Sequence, residues 1–348
     1  MNLEARIDAF ARLGDQIEEY LNGNEISNAR GEIGAVIEMQ EIENPWFTRE
    51  NIRRALSGIR AMLKRESLLP WLAKYANLTE KEKLFPVAII MAGNIPAVGF
   101  HDLLCVLISG NNALIKLSRR DNLLIPYLVK LLNRIEPEFS SRVSFESGVL
   151  KNFRGIIATG SSNTGRYFEY YAGKYPHIIR KNRTSIAFLN GNESDTELEK
   201  LSTDIFSYFG MGCRNVSKLF LPIGYKPADL FLQNSEFKKI IHHTKYFNNY
   251  EYQKSLFTIE KKSVIDTGYF LLQQSDSFAA PISVVFYDHY QSYQDFLNKI
   301  LDKKDELQCI ASSNFLPNMN TIPFGETQFP GPGDYADQID TLNFLLNL

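Results

Sequence analysis

The sequence predicts an α/β protein built on a doubly wound parallel sheet, with a second α/β domain after it and helices before it. Three observations carry this. Residues 85–191 alternate short apolar runs with stretches of helical length, the pattern of a parallel sheet with helical crossovers. The 348 residues exceed what one core usually organises, which points to two domains. A hydrophobic share of 44% and a charged share of 22% belong to an ordinary globular chain.

The first 80 or so residues read as helices. Leu3, Ile7, Phe10, Leu13, Ile17 and Leu21 recur at spacings of three and four. Residues 48–64 start at a Thr48 cap and repeat Ile52, Leu56, Ile59, Met62 and Leu63. Asn44-Pro45 and Leu69-Pro70 punctuate this region. The pattern changes at Phe85: FPVAIIMAG is a short apolar run closed by Gly93-Asn94, as a buried strand should be. HDLLCVLISG is helical and ends at Gly110; ALIKLS is a strand, and NLLIPYLVKLLNRI a helix containing Pro126. FRGIIATGSS is a strand opening into a turn, NTGRYFEYYAGKY is helical, and HIIRKNRTSIAFLNG is extended. A helix at about 194–209 leads into MGCRNVSKLFLPIG. Further strands are expected at VIDTGYFLLQQ, PISVVFYD and LQCIASS, with a helix near 291–304, then a Gly/Pro-rich stretch and a final helix.

Charge and composition exclude several function classes. A net charge of -2 offers no reason for a nucleic-acid or anionic-membrane partner. The longest apolar runs, such as Phe85–Ala92, are far too short to span a bilayer. The N-terminus lacks the apolar core of a secretory signal. With only Cys105, Cys213 and Cys309, the chain is expected in a reducing, cytoplasmic setting with free thiols. No CxxC pair or HxxxH spacing suggests a metal site, and none is expected.

Four local features can carry chemistry. Cys213 sits in FGMGCRN, after a helix and before a strand. Glycines there permit a tight, exposed turn, and Arg214 can favour the thiolate. A buried turn cysteine is the plain alternative, and it suits Cys105 and Cys309 better. Asn94, in Gly93-Asn94-Ile95-Pro96, follows a strand, where an amide N–H can meet an oxyanion; a simple turn explains it equally. Lys116, Ser118, Arg119 and Arg120 end the next strand, where they can hold ribose hydroxyls or a phosphate, or form a solvated charged loop. Thr159, Gly160, Ser161 and Gly165 lie in a strand-to-helix turn whose N–H groups suit a phosphate, a weak signal on its own. Aromatics at Tyr246, Phe247, Tyr250, Tyr252 and Phe257 can line an apolar channel or simply pack.

In this order and spacing, the four features resemble the aldehyde dehydrogenase superfamily. There, an Asn-x-Pro turn, a Lys-x-Ser strand end, a Thr-Gly-Ser loop and a helix leading to the catalytic cysteine follow one another. Phe278-Ala279-Ala280-Pro281-Ile282 looks like that family's Phe-Gly-Pro turn. Within the superfamily, MGCRNVSKLFLP and GDYADQIDTLNFL look most like the fatty acyl-CoA reductases of the bacterial luminescence type. One departure matters. Oxidative members carry a Glu-Leu-Gly-Gly segment whose Glu activates water, whereas this chain has Ile179-Arg180-Lys181-Asn182-Arg183-Thr184.

The resemblance implies an aldehyde-dehydrogenase-like fold. Residues 1–84 would form a helical region packed on the cofactor domain, 85–205 the nucleotide-binding domain and 206–325 the catalytic domain, with 326–348 returning to the cofactor domain. It implies an oxidoreductase in which Cys213 attacks an acyl-CoA or acyl-protein thioester, and Asn94 with the Cys213 N–H stabilises the oxyanion. Lys116 and Ser118 would bind the cofactor ribose, and Thr159, Gly160, Ser161 and Gly165 would line the cofactor site. Arg119 stands where NAD-preferring relatives have Glu, which favours NADPH over NADH. Asp276 and Ser277 compete for the place of the family's second carboxylate, so neither is assigned. A homo-oligomer is expected. The rivals are aldehyde oxidation, acyl-phosphate reduction, and a non-catalytic binding module.

Overall fold

A computed structural model describes every residue except 24–27, 77, 79–85, 161–167, 169–171 and 231–235. The chain divides into two compact units, Met1–Asn182 with Phe329–Leu348, and Arg183–Gln328.

The first unit begins with four helices: α1 (Leu3–Leu21), α2 (Asn28–Glu43), α3 (Arg49–Leu63) and α4 (Arg65–Leu72). Asn2 caps α1 and Thr48 caps α3 through side chains that accept the Ala5 and Asn51 N–H groups. The apolar face of α1 buries Ile7, Phe10, Leu13 and Ile17. Pro70 lies inside α4 and does not end it, unlike the break expected at Leu69-Pro70. The helix closes two residues later, so the N–H that proline lacks interrupts only its last turn.

A five-stranded sheet follows, with all pairings parallel, in the order β3-β2-β1-β4-β5. Its strands are β1 (Pro86–Ile90), β2 (Asn112–Lys116), β3 (Val143–Phe145), β4 (Gly155–Thr159) and β5 (His177–Arg180). The crossover β1–α5–β2 uses α5 (Phe100–Ile108), buried at eight of its nine positions because it is covered all round. In α6 (Leu124–Ile135), Pro126 falls in the first turn, where no backbone hydrogen bond is lost. The C-terminal segment belongs to this unit. Leu342 and Leu345 of α10 (Thr341–Leu346) join its core, and Arg180 binds both Asp102 (2.8 Å) and Thr341 (2.8 Å).

The second unit holds a six-stranded sheet in the order β11-β6-β7-β10-β9-β8. Its strands are β6 (Thr184–Phe188), β7 (Val216–Pro222), β8 (Ile265–Asp266), β9 (Leu271–Gln274), β10 (Val284–Tyr290) and β11 (Leu307–Ala311); only β8–β9 is antiparallel. Its helices are α7 (Asp195–Phe206), α8 (Thr244–Ile259) and α9 (Tyr293–Leu301). Ser194 and Glu197 cap the start of α7 reciprocally.

The single extended segment read over 177–191 is therefore two strands in two sheets. β5 pairs with β4, and three residues later β6 pairs with β7 and β11. The division of the chain consequently falls after Asn182 rather than after residue 205, and α7 lies in the second unit. Among the described residues, no helix is long and apolar enough to cross a membrane.

Candidate active site

In the second unit the candidate nucleophile is carried by a turn with an unusual backbone. α7 ends at Phe206, and Tyr208, Phe209 and Gly210 then take φ of 52°, 57° and 76°. Two non-glycine residues held left-handed cost about 1–3 kcal/mol each, so surrounding contacts must impose the conformation. Asn215 supplies them. Its amide nitrogen donates to the Asp204 (3.0 Å) and Ser207 (2.9 Å) carbonyls at the end of α7, and its Oδ1 accepts the Gly212 N–H at 2.7 Å. Asn215 is 1% exposed, so these bonds are shielded from water.

Cys213 follows three residues after Gly210, half-buried and without a disulfide. Its carbonyl accepts from Ser185 Oγ at 2.9 Å, and the same hydroxyl lies 3.0 Å from Cys309 Sγ. Burial pushes the Cys309 thiol up to about 11, against the opposing Arg214 charge and the Ser185 hydrogen bond. Cys105 is wholly buried in α5, and desolvation raises its thiol well above the ordinary value. Cys105 fits the structural role expected of it, whereas Cys309 is half-buried like Cys213 and is set apart by its raised thiol.

The Phe278-Ala279-Ala280-Pro281 turn lies against β7. Ser217 Oγ donates to the Phe278 carbonyl at 2.5 Å, and Lys218 Nζ donates to Ser275 O at 2.7 Å. Phe278 is itself flanked by the ammonium groups of Lys218 (5.1 Å) and Lys303 (5.0 Å). Lys218 is 1% exposed, and desolvation lowers its pKa to about 8. Asp276 and Ser277 are both exposed on this loop, and Lys303 Nζ holds the Asp276 carbonyl at 2.6 Å.

In the first unit, the expected cofactor residues gather at the carboxyl edge of the parallel sheet. β1 and β2 run side by side to Ile90 and Lys116, so the turns after them are neighbours. The two turns interlock. A Cβ at Gly93 would stand 2.4 Å from Ser118 Oγ, a space that only glycine leaves open. Asp121 Oδ2 accepts the Ala97 N–H at 2.6 Å, tying the Asn94 turn to the Ser118–Asp121 turn. Burial raises the Asp121 carboxyl to about 7, opposed by its backbone hydrogen bonds.

Asn94, Lys116 and Ser118 are half-buried at this edge, and Arg119 and Arg120 are exposed. Lys116 Nζ donates to the Gly148 carbonyl at 2.8 Å, which uses one of its three N–H donors. Thr159 ends β4 beside β1, and the Gly160 N–H donates to Arg180 O at 3.3 Å. Ser161 and Gly165 lie outside the described residues. Hydroxyl, ammonium and guanidinium donors at the carboxyl ends of parallel strands suit a phosphorylated nucleotide.

Sequence reasoning did not find Asn215, Ser185, Lys218 or Asp121. Lys218 alone left a signal: a cation within the apolar run VSKLFLP, on a strand that a parallel sheet covers on both faces.

No family model and no curated protein matches the chain. Solved structures do. It is similar to aldehyde dehydrogenase 21 from Physcomitrella patens in complex with the reaction product succinate, at 12% identity and a TM-score of 0.63 over 100% of this chain and 84% of that one. An aldehyde dehydrogenase from Bacillus cereus in complex with NAD+ is 14% identical, with a TM-score of 0.59 over 90% of this chain and 72% of that one. A variant of aldehyde dehydrogenase C from Pseudomonas syringae, with NAD+ and octanal, is 12% identical, with a TM-score of 0.61 over 90% and 72% of the two chains. At such identities the likeness is one of architecture, and on it the chain has the aldehyde dehydrogenase fold.

Proposed function

We propose that this protein is an oxidoreductase that reduces an acyl thioester to an aldehyde through an acyl group carried on Cys213. The observation that carries the reading is the pairing of a half-exposed cysteine on a braced turn with a segment 179–184 that holds no carboxylate. Arg180 in that segment is buried in an ion pair with Asp102, so it serves structure and cannot activate water.

The Cys213 thiolate adds to the thioester carbonyl, the carbon–sulfur bond to the carrier breaks, and the carrier leaves as its thiol with the proton that Cys213 gave up. Asn94 and the Cys213 N–H are the proposed oxyanion donors. Lys116, Ser118 and Arg119 would hold the nucleotide, NADPH in preference to NADH, with Thr159 and Gly160 beside them. A nicotinamide cofactor bound there would supply the hydride that, with one proton, takes the acyl thioester to aldehyde and free Cys213 thiol. With no carboxylate in 179–184 to activate it, water competes less well for the acyl group.

The fold neighbours solved with NAD+ favour a second reading, aldehyde oxidation. Incubation with acyl-CoA in the absence of cofactor separates the two. An acyl adduct at Cys213 on mass spectrometry, absent in Cys213→Ala, supports thioester reduction. No adduct, with acid formed from aldehyde and NAD+, overturns it.

A further inference from the structure

Ile33, Ile37, Gln40 and Asn44 recur at spacings of four, three and four along α2 and the residue that follows it, so they share one face. Ile33 and Ile37 are buried in the core of the first unit, as the apolar stripe of a packed helix should be. The last two positions of the stripe are amides. They are buried as well, Gln40 completely and Asn44 at 6% exposure. A buried amide is unfavourable unless its hydrogen bonds are met, and an apolar pair would seat the helix without that requirement.

The partner of both amides is the loop that bears Arg119. Gln40 Nε2 donates to the Arg120 carbonyl at 3.1 Å, and Gln40 Oε1 accepts the Leu123 N–H at 3.4 Å. Asn44 Nδ2 donates to the same Arg120 carbonyl at 3.2 Å, while its Oδ1 accepts the Trp46 N–H at 3.3 Å. One carbonyl thus takes two side chains, and one side chain spans the backbone from Arg120 to Leu123. On the other side, the Arg120 N–H donates to Ser118 Oγ at 3.2 Å, and a Cβ on Gly93 would lie 3.2 Å from Arg120 Cβ. The main chain beside Arg119 is therefore held from two directions, while the Arg119 and Arg120 side chains stay exposed. A side chain open to solvent on a fixed backbone meets a ligand with less ordering left to do.

We infer that Gln40 and Asn44 are positioning residues for the cofactor: by clamping the Arg120 carbonyl they hold Arg119 ready for the 2′-phosphate of NADPH. The inference rests on the reading of Arg119 as the phosphate-binding residue. It gives the N-terminal helical region a share in cofactor selectivity. NADH lacks that phosphate and gains little from the clamp, because Lys116 lies in β2 itself and Ser118 is packed against Gly93.

The test is fluorescence titration of the full chain with NADPH and with NADH. Gln40→Met keeps the length of the side chain and removes both of its hydrogen bonds. We expect NADPH binding to weaken about tenfold, with NADH binding within about twofold of the unaltered protein. Asn44→Ala removes the second donor to Arg120 and should move the NADPH-to-NADH ratio the same way, by about threefold. In an Arg119→Gln background, Gln40→Met should alter NADPH binding by less than about twofold, since no guanidinium is left to position. Equal weakening of both nucleotides would mean that the amides only seat α2 on the sheet, and overturns the inference. An unchanged NADPH affinity in Gln40→Met overturns it too, as does an effect on NADPH that persists without Arg119. If Gln40→Met does not fold, Asn44→Ala decides by the same ratio and in the same background. Failure of the underlying reading looks different: Arg119→Gln alone would leave NADPH binding unchanged, and this inference would fall with that reading.

Discussion

Asn215 Oδ1 accepts the Gly212 N–H at 2.7 Å, one residue before the candidate nucleophile, while the Asn215 amide nitrogen caps the carbonyls that end α7. One buried side chain thus joins the helix to the turn that presents Cys213. Asn215→Ala leaves those buried carbonyls and the Gly212 N–H without the Asn215 side chain and should cost about 2–4 kcal/mol in chemical denaturation. Cys213 alkylation should change with it, since the turn loses its brace. Denaturation and iodoacetamide labelling read the two effects; an unchanged labelling rate would mean that Asn215 holds the helix alone.

Arg119 is exposed at the end of the β2 turn, where a guanidinium can take a phosphate in bidentate fashion. Arg119→Glu should weaken NADPH binding at least about tenfold more than NADH binding, because the carboxylate repels a 2′-phosphate. Fluorescence titration of both nucleotides gives the ratio. An unaltered ratio removes the argument for NADPH.

Asp121 gives a pH signature. Its folded-state pKa lies above the ordinary 3.8, at about 7, so the folded chain binds a proton that the unfolded chain releases earlier. Its contribution is therefore fully present below about pH 3.8 and is lost as pH rises to about 7. Asp121→Asn keeps an oxygen for the Ala97 N–H and removes the titration. The variant should gain stability relative to the parent across that window. Urea denaturation at pH 5 and at pH 8 is the check: a parent–variant difference that stays constant refutes the shift.

The sequence by itself determined the repeating strand–helix pattern, the cap at Thr48, and the order in which Asn94, Lys116, Ser118, Thr159 and Cys213 follow their elements. These are legible because periodicity, capping and turn chemistry act between residues a few positions apart. Only the tertiary structure decided that 177–191 is shared between two sheets, that Lys218 is buried against Phe278, and that Asp121 binds Ala97 across two turns. It also decided that Ser185 reaches Cys213 and Cys309, and that Gln40 and Asn44 meet at the Arg120 carbonyl. Each of these depends on pairing between segments far apart in the chain, and such pairing leaves no local pattern, because it is fixed by which apolar faces and strand edges the whole chain can bury together.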